Sequence, residues 1–345
     1  MFNSLGYPLI ASTGRKRQAS VSRGGWLLAV VVSLSMTLIG QKWVASDSLY
    51  APELWESREV LHNAILHNQL PDSTSTWGSE GANGLNVRLL TVWAAEGLHR
   101  LTGMSVQRAY LWIESTALLS CGLLLYAFLE SYAGWQFGLG ALLYWGTVLP
   151  LTYFHHRFHP WDKPSIALWL LALICTWHRR WWALAAVLFI GVLTKYDIVV
   201  FPALVFLAFR KTDPWKAVVV RTALLFGLTI STFIILRWLV PGGFETRSET
   251  AQVTTNLGML SETTITYPPL LALGPPAMLA VLGYRIADNF ARACLQLALI
   301  IAAILFLQTN FVEFRAEVPI LLLLFPAAWF GLLRLTGAEN IPART

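Results

Sequence analysis

Four short stretches of this chain hold side chains able to bind an anion or move a proton. The first is His155-His156-Arg157-Phe158-His159-Pro160-Trp161-Asp162-Lys163-Pro164. Arg157 and Lys163 can hold an anion through charge-assisted hydrogen bonds, with Asp162 orienting them. His155 and His159, spaced i and i+4, would share a helical face and could ligate a metal there. Pro160 and Pro164 argue against a regular helix, and no cysteine or second clean histidine pair supports such a site, so no metal is assigned. The plainer reading is a polar interfacial loop whose His and Trp side chains anchor among headgroups.

The second stretch, Thr194-Lys195-Tyr196-Asp197, lies between two apolar blocks. Lys195 and Asp197 are either an internal ion pair joining two helices or a phosphate or sugar contact at the floor of a cavity. The third is Glu313-Phe314-Arg315-Ala316-Glu317. Arg315 can clamp a phosphate with two parallel hydrogen bonds, and the alternative is snorkelling at a helix start. The fourth is an acidic run with Asp47, Glu53, Glu56 and Glu59. Such runs are commonly solvated faces. One of these carboxylates could also serve as a general base toward an acceptor hydroxyl. Asp47 and then Glu53 are best placed, close to where the first apolar block ends.

The elements that must position these groups are membrane spans. The chain has 345 residues, 56% of them hydrophobic and 13% charged, with mean hydropathy +0.56. Soluble domains carry roughly 25% charged residues. The apolar residues form long blocks without the alternation of barrel strands, so an all-α bundle of about ten spans is expected. The net charge of +6 does not indicate nucleic-acid binding, because the basic residues are scattered between apolar blocks and make no patch with interleaved aromatics. Cys121, Cys175 and Cys294 fall inside apolar blocks and read as small buried hydrophobes.

Residues 1–24 form a basic N-terminal segment and 336–345 a short tail, flanking a membrane domain at 25–335. The first span is expected at Gly25–Ala45. It reads as a signal anchor, with a cleaved signal peptide as the competing reading because Val44-Ala45-Ser46 loosely fits a cleavage site. The outer loop 46–105 contains the polar run 46–86, helical spacing over Ala51–Gln69, and an amphipathic segment at Val87–Leu101 led by Arg88. Further spans are expected at Val106–Leu129, Trp135–Phe154, Ser165–Trp177, Trp181–Thr194, Ile198–Phe209, Ala217–Val240, Pro268–Gly283, Ala293–Gln308 and Val318–Leu333. Alternate loops collect Arg179-Arg180, Arg210-Lys211 with Lys216, Arg285 with Arg292, and Arg334 with Arg344. The positive-inside rule then places both termini in the cytoplasm and the four polar stretches on the opposite face of the membrane. No internal repeat of the inverted-repeat transporter kind is evident.

The order of a first span, an acidic outer loop, an Arg-led amphipathic helix (Asn86-Val87-Arg88-Leu89-Leu90-Thr91), a polar Trp-Asp loop and a multi-span tail resembles the GT-C class of membrane glycosyltransferases. Within that class it is most similar to bacterial members with an Arg/Tyr-rich element before Trp-Asp, matched by Arg157 to Asp162. A short charged motif two spans later is matched by Thr194-Lys195-Tyr196-Asp197, and a late Glu-x-Arg by Glu313 and Arg315. The charged motif departs from the Asn-Arg-Glu-Thr of those relatives, and the acidic pair of many members is missing.

The resemblance implies transfer of a sugar from a polyprenyl-phosphate donor to an acceptor on the outer face. It makes Asp47 or Glu53 the base and Arg157, Lys163, Lys195 and Arg315 the groups that neutralise the departing phosphate. Arg88, His155, His156, His159, Asp162, Asp197 and Glu313 would line the same substrate site. The partners it implies are membrane lipid and the lipid-linked sugar. Some members of the class use a divalent metal and others do not. Two other functions fit a polytopic chain: a transporter or flippase of a lipid-linked or anionic solute, and a non-catalytic membrane subunit.

Overall fold

The protein is described here by a computed structural model covering residues 22–47, 52–69, 88–156, 159–240, 249–259, 263–308 and 314–337. All regular structure among these residues is helical. In chain order the α-helices are α1 (Arg23–Asp47), α2 (Pro52–Leu66), α3 (Leu89–Thr102), α4 (Val106–Ala133), α5 (Trp135–Val148), α6 (Asp162–Trp177), α7 (Trp181–Thr194), α8 (Pro202–Phe209), α9 (Trp215–Leu239), α10 (Glu249–Met259), α11 (Thr263–Gly283), α12 (Asn289–Gln308) and α13 (Phe314–Leu335). Leu149–His156 and Tyr196–Val200 are 3-10 helices.

Among the described residues five helices are long and apolar enough to cross a membrane: Arg23–Lys42, Val106–Ala133, Trp215–Leu239, Asn289–Leu307 and Phe314–Leu335. Trp181–Thr194, Tyr196–Phe209 and Pro269–Gly283 are shorter apolar helices. The exterior is correspondingly apolar. Leu27, Leu38, Trp182, Leu224, Trp238, Leu271, Met278 and Leu299 are each more than half exposed. Charged groups including Glu114, Asp162, Lys163 and Glu317 are buried. Apolar outside with charges inside is the distribution expected of a chain whose solvent is lipid.

The apolar blocks give the helices and their directions, and three local departures have physical causes. Helix α6 begins at Asp162, three residues before the expected Ser165. Pro164 therefore falls in the first turn, where its missing N–H is not needed, so it starts the helix instead of excluding one. The expected span Trp135–Phe154 becomes α5 followed by the 3-10 segment, and Ile198–Phe209 is divided at Phe201 before Pro202. Helix α10 falls within a stretch expected to be loop; it is too short and polar to form an apolar block.

Helix α13 is the centre of the bundle: every residue from Glu317 to Ala328 is buried. A helix apolar all round must be wrapped by others. Its closest neighbour is α11, and glycine permits the approach. A Cβ on Gly331 would collide with the backbone of Leu279, and one on Gly283 with the backbone of Gly331 and Ala327. Small residues at such crossings let membrane helices gain dispersion contacts. Pro275 and Pro276 in α11 offer no N–H to the carbonyls of Leu271 and Ala272. The Tyr144 hydroxyl of α5 lies 3.3 and 2.8 Å from those two carbonyl oxygens and donates to them.

Contacts between helix ends sort the molecule into two faces. At one end Tyr132 meets Trp177 (4.9 Å between ring centroids) and donates to Asp288 (3.0 Å), while Arg334 donates to the Leu282 carbonyl (2.9 Å). The α6–α7 turn joins the α8–α9 turn there through Arg179 and Asp213. This end carries Arg179, Arg180, Arg210, Lys211, Lys216, Arg285, Arg292 and Arg334, and is called the cationic end below. The opposite end joins the starts of α6 and α13 to the end of α7.

Candidate functional site

The site at that opposite end is organised around Asp162. The first turn of α6 is set by backbone bonds from Asp162 N to His159 O (3.1 Å) and from Ser165 N to Trp161 O (2.9 Å). These hold Asp162 at the first position of the helix, where it and Trp161 are both buried. Lys195 Nζ lies 3.1 Å from one carboxylate oxygen, and Arg315 Nη1 donates to the other at 3.1 Å. One carboxylate thus ties together three segments that are far apart in sequence.

Lys195 reaches this position because α7 stops abruptly. Gly191 has no side chain where Ile198 folds back, 2.8 Å from the place a Cβ would occupy. The chain turns through extended Lys195 into the second 3-10 helix, which presents Asp197 to the same ammonium at 3.3 Å. Asp197 also lies 3.3 Å from Ser165 Oγ and 3.4 Å from Trp169 Nε1, both of which donate to it.

Arg88 enters just before α3. Its guanidinium lies 4.6 Å from the Trp161 ring centroid and 5.6 Å from that of Tyr196. Arg237, from the last turn of α9, approaches the same Tyr196 ring at 5.5 Å and Phe233 at 4.7 Å. Such stacking favours a desolvated cation without neutralising it. Arg88 is buried, and among the described residues its Nε has no hydrogen-bond partner and no carboxylate lies within ion-pair distance of it. Among the described residues Arg88 is therefore a buried guanidinium with no carboxylate paired to it, beside the Asp162–Lys195–Arg315 cluster.

A second polar group adjoins the first on the far side of Lys163. Lys163 Nζ donates to Thr152 Oγ1 at 2.7 Å, sits 4.2 Å from the Tyr153 ring centroid and lies 4.0 Å from Glu114 Oε1. The Tyr153 hydroxyl donates to the same Glu114 oxygen at 2.8 Å. Glu114 Oε2 has no partner. Glu317, two residues after Arg315, is fully buried with both carboxyl oxygens unpartnered. Residues two apart on a helix do not share a face, so Glu317 does not belong to the Arg315 cluster.

Of the residues singled out from sequence, Arg88, Asp162, Lys195, Asp197 and Arg315 come together, with Lys163 adjoining. His159 is buried with its ring 5.5 Å from that of Trp161. Asp47 ends α1, Glu53 lies in α2, and His155 and His156 end the first 3-10 helix. The side chains of these four, and all of Arg157 and Glu313, fall outside the described residues. Sequence reasoning passed over Glu114, Tyr153 and Arg237, and quoted Trp161 and Tyr196 within its motifs without giving them a place in the site. The available signal was a charge inside an otherwise apolar span, present for Glu114 and Arg237.

Nearby, His62 on α2 receives or donates a 2.8 Å bond with Tyr110 and lies 3.5 Å from Glu96 on α3. Burial holds its imidazole below the usual value, against the pull of Glu96. Glu96 is held below the ordinary carboxylate range, chiefly by its hydrogen bond from Arg100. Among the described residues no group of three or more His, Cys, Asp or Glu side chains is arranged to hold a metal. Comparison with protein-family models, with curated proteins and with solved structures finds no match. The functional argument therefore rests on geometry. A buried, aromatic-walled group with an unpaired cation can hold an anion. Asp162 is occupied by two cations and Asp197 by three donors, whereas Glu114 keeps one carboxyl oxygen without a hydrogen-bond donor among the described residues.

Proposed function

We propose that the chain is a GT-C-like glycosyltransferase of about ten spans, moving a sugar from a polyprenyl-phosphate donor to an acceptor at the outer face of a bacterial inner membrane. The observation that carries this reading is the unmatched charge of Arg88 between Trp161 and Tyr196, beside the Asp162–Lys195–Arg315 cluster. A phosphate oxygen would give Arg88 the counter-ion it lacks, and the cations would then stabilise the leaving phosphate as the glycosidic bond breaks. The base is a carboxylate of the outer loop, Asp47 or Glu53. In this reading the helices short of a full membrane thickness cross by tilting, or in pairs such as the second 3-10 helix with α8. The cationic end faces the cytoplasm, as the positive-inside rule requires.

The test is sugar transfer from a radiolabelled polyprenyl-phosphate sugar by the purified protein in membranes. Arg88→Gln, Lys195→Ala and Asp47→Asn are expected to abolish product while the protein remains inserted. Full activity in all of these variants would refute the assignment. A transporter or flippase reading draws support from Glu114 and Glu317, which lie within spans and keep unpartnered oxygens. Uptake of a lipid-linked or anionic solute by proteoliposomes, with no covalent product, would put that reading first.

A further inference from the structure

The cationic end divides into two parts. On one, Arg292 and Arg334 are consumed internally, leaving the Arg285 side chain exposed: Arg292 donates to the carbonyls of Tyr284 (3.1 Å) and Arg285 (2.7 Å), and Arg334 to that of Leu282. On the other, the α6–α7 and α8–α9 turns form a platform. Asp213 accepts from Arg179 (3.0 and 3.2 Å) and from Arg221 (3.3 Å). Arg221 is stacked on Trp181 at 4.0 Å and Arg179 on Phe209 at 4.6 Å. These contacts lock the two turns to each other.

The lock is maintained against strain. Helix α6 ends with Arg180 N bonded to Cys175 O (2.8 Å) and Arg179 N to Thr176 O (3.1 Å). That closure puts Arg179 at φ 57°, a left-handed position that glycine normally fills. An arginine held there, with Asp213 accepting from its side chain, sets the cost of that backbone position against the bond that joins the two turns.

The platform displays Arg180, Arg210, Lys211 and Lys216, all exposed and none paired with a carboxylate among the described residues. Asp213, the carboxylate within these turns, is already shared by two arginines. Counting Arg179 and Arg221, six cations stand against one carboxylate. Trp182 is 91% exposed and Trp215 59% exposed beside them. Indole rings of this kind sit at headgroup depth, so the cations lie at the level of lipid phosphates. The first turns of α7 and α9 open onto the same layer without side-chain caps, adding a favourable field for anions.

We propose that this platform is a binding site for an anionic glycerophospholipid, with the phosphates held by Arg180, Arg210, Lys211 and Lys216 and the acyl chains lying along α7 and α9 beside Trp182 and Trp215. The site is independent of the transfer reaction proposed above and lies at the opposite end of the bundle. Its ligand is the diphosphate headgroup of a cardiolipin-type lipid or the single phosphate of phosphatidylglycerol.

The test uses the purified full-length chain in a neutral detergent, titrated with cardiolipin, phosphatidylglycerol, phosphatidylcholine or inorganic phosphate. Bound lipid is read by native mass spectrometry and folding by thermal unfolding. Retention of the anionic lipids over phosphatidylcholine is expected, with Lys211→Gln/Lys216→Gln weakening retention on the order of tenfold or more. Arg285→Gln, which removes an exposed cation of the same end off the platform, is expected to leave it unchanged. Equal retention of phosphatidylcholine would overturn the proposal. So would an equal loss in Arg285→Gln, which would mean diffuse surface charge, or displacement by millimolar phosphate, which would mean a free-anion site.

Discussion

Both ends of this bundle collect cations, and they treat them in opposite ways. At the Asp162 end Lys163, Lys195 and Arg315 are buried or nearly so and are bonded to carboxylates and hydroxyls. At the cationic end Arg180, Arg210, Lys211 and Lys216 stand exposed and, among the described residues, unpaired, and the one shared carboxylate, Asp213, serves to fix two turns. Burial decides what each charge is worth. A buried cation that loses its counter-ion must bear the whole desolvation penalty, whereas an exposed one is already solvated and screened. The Asp162 cluster therefore contributes to folding, while the exposed cations of the platform contribute little to it.

The comparison can be broken first at its two carboxylates. Asp162→Ala strands Lys195 and Arg315 in the interior and is expected to destabilise the protein by about 3–5 kcal/mol. Asp213→Ala, which frees half-exposed Arg179, is expected to cost about 1 kcal/mol or less. Thermal unfolding of both variants in one detergent gives the ratio; equal costs would dissolve the distinction between the ends. A smaller effect is expected within the second polar group. Lys163→Met and Glu114→Gln should each destabilise by about 1–3 kcal/mol, and the double variant by less than their sum, because each removes a group the other has to solvate. Additivity in that cycle would mean that the 4.0 Å separation carries no coupling.

Arg88 sharpens the comparison from the other side. Among the described residues it has no carboxylate to strand, so Arg88→Gln is expected to shift stability by no more than about 1 kcal/mol. It should still weaken binding of farnesyl phosphate, used as a short isoprenyl-phosphate probe, by tenfold or more; unchanged binding in a titration of the purified variant would remove Arg88 from the site. The smallest effect is a pH dependence at the rim. Burial lowers the His62 pKa in the folded state from 6.5, so the neutral imidazole is the folded form. Its contribution is present above pH 6.5 and lost as pH falls below that value. The wild type should lose thermal stability on acidification more steeply than His62→Gln, and parallel pH profiles would show that His62 is not the titrating group.

The helices were legible because lipid imposes a simple code of long apolar blocks with charged ends, and α4, α7, α9 and α12 follow it closely. Arg88, Asp162, Lys195, Asp197 and Arg315 were legible for the same reason, since a charge beside an apolar block is costly unless it has a partner. Their pairing was not legible, because nothing local to Asp162 names Lys195 or Arg315; the turn after Gly191 and the central position of α13 decide it. Glu114 was lost inside the apolar average of α4. The start of α6 was misjudged because Pro164 was weighed as a breaker before its place in the first turn was known.

One consequence of the central position of α13 concerns biogenesis. The innermost helix is the last described helix to emerge from the ribosome. Until it arrives, Asp162 has Lys195 but not Arg315, and the glycine seam of α11 faces lipid with nothing against it. The outer ring must therefore remain open in the membrane to admit its own core, and quality control has a simple mark to read: a bundle that has not yet closed around its final segment still displays a half-paired carboxylate.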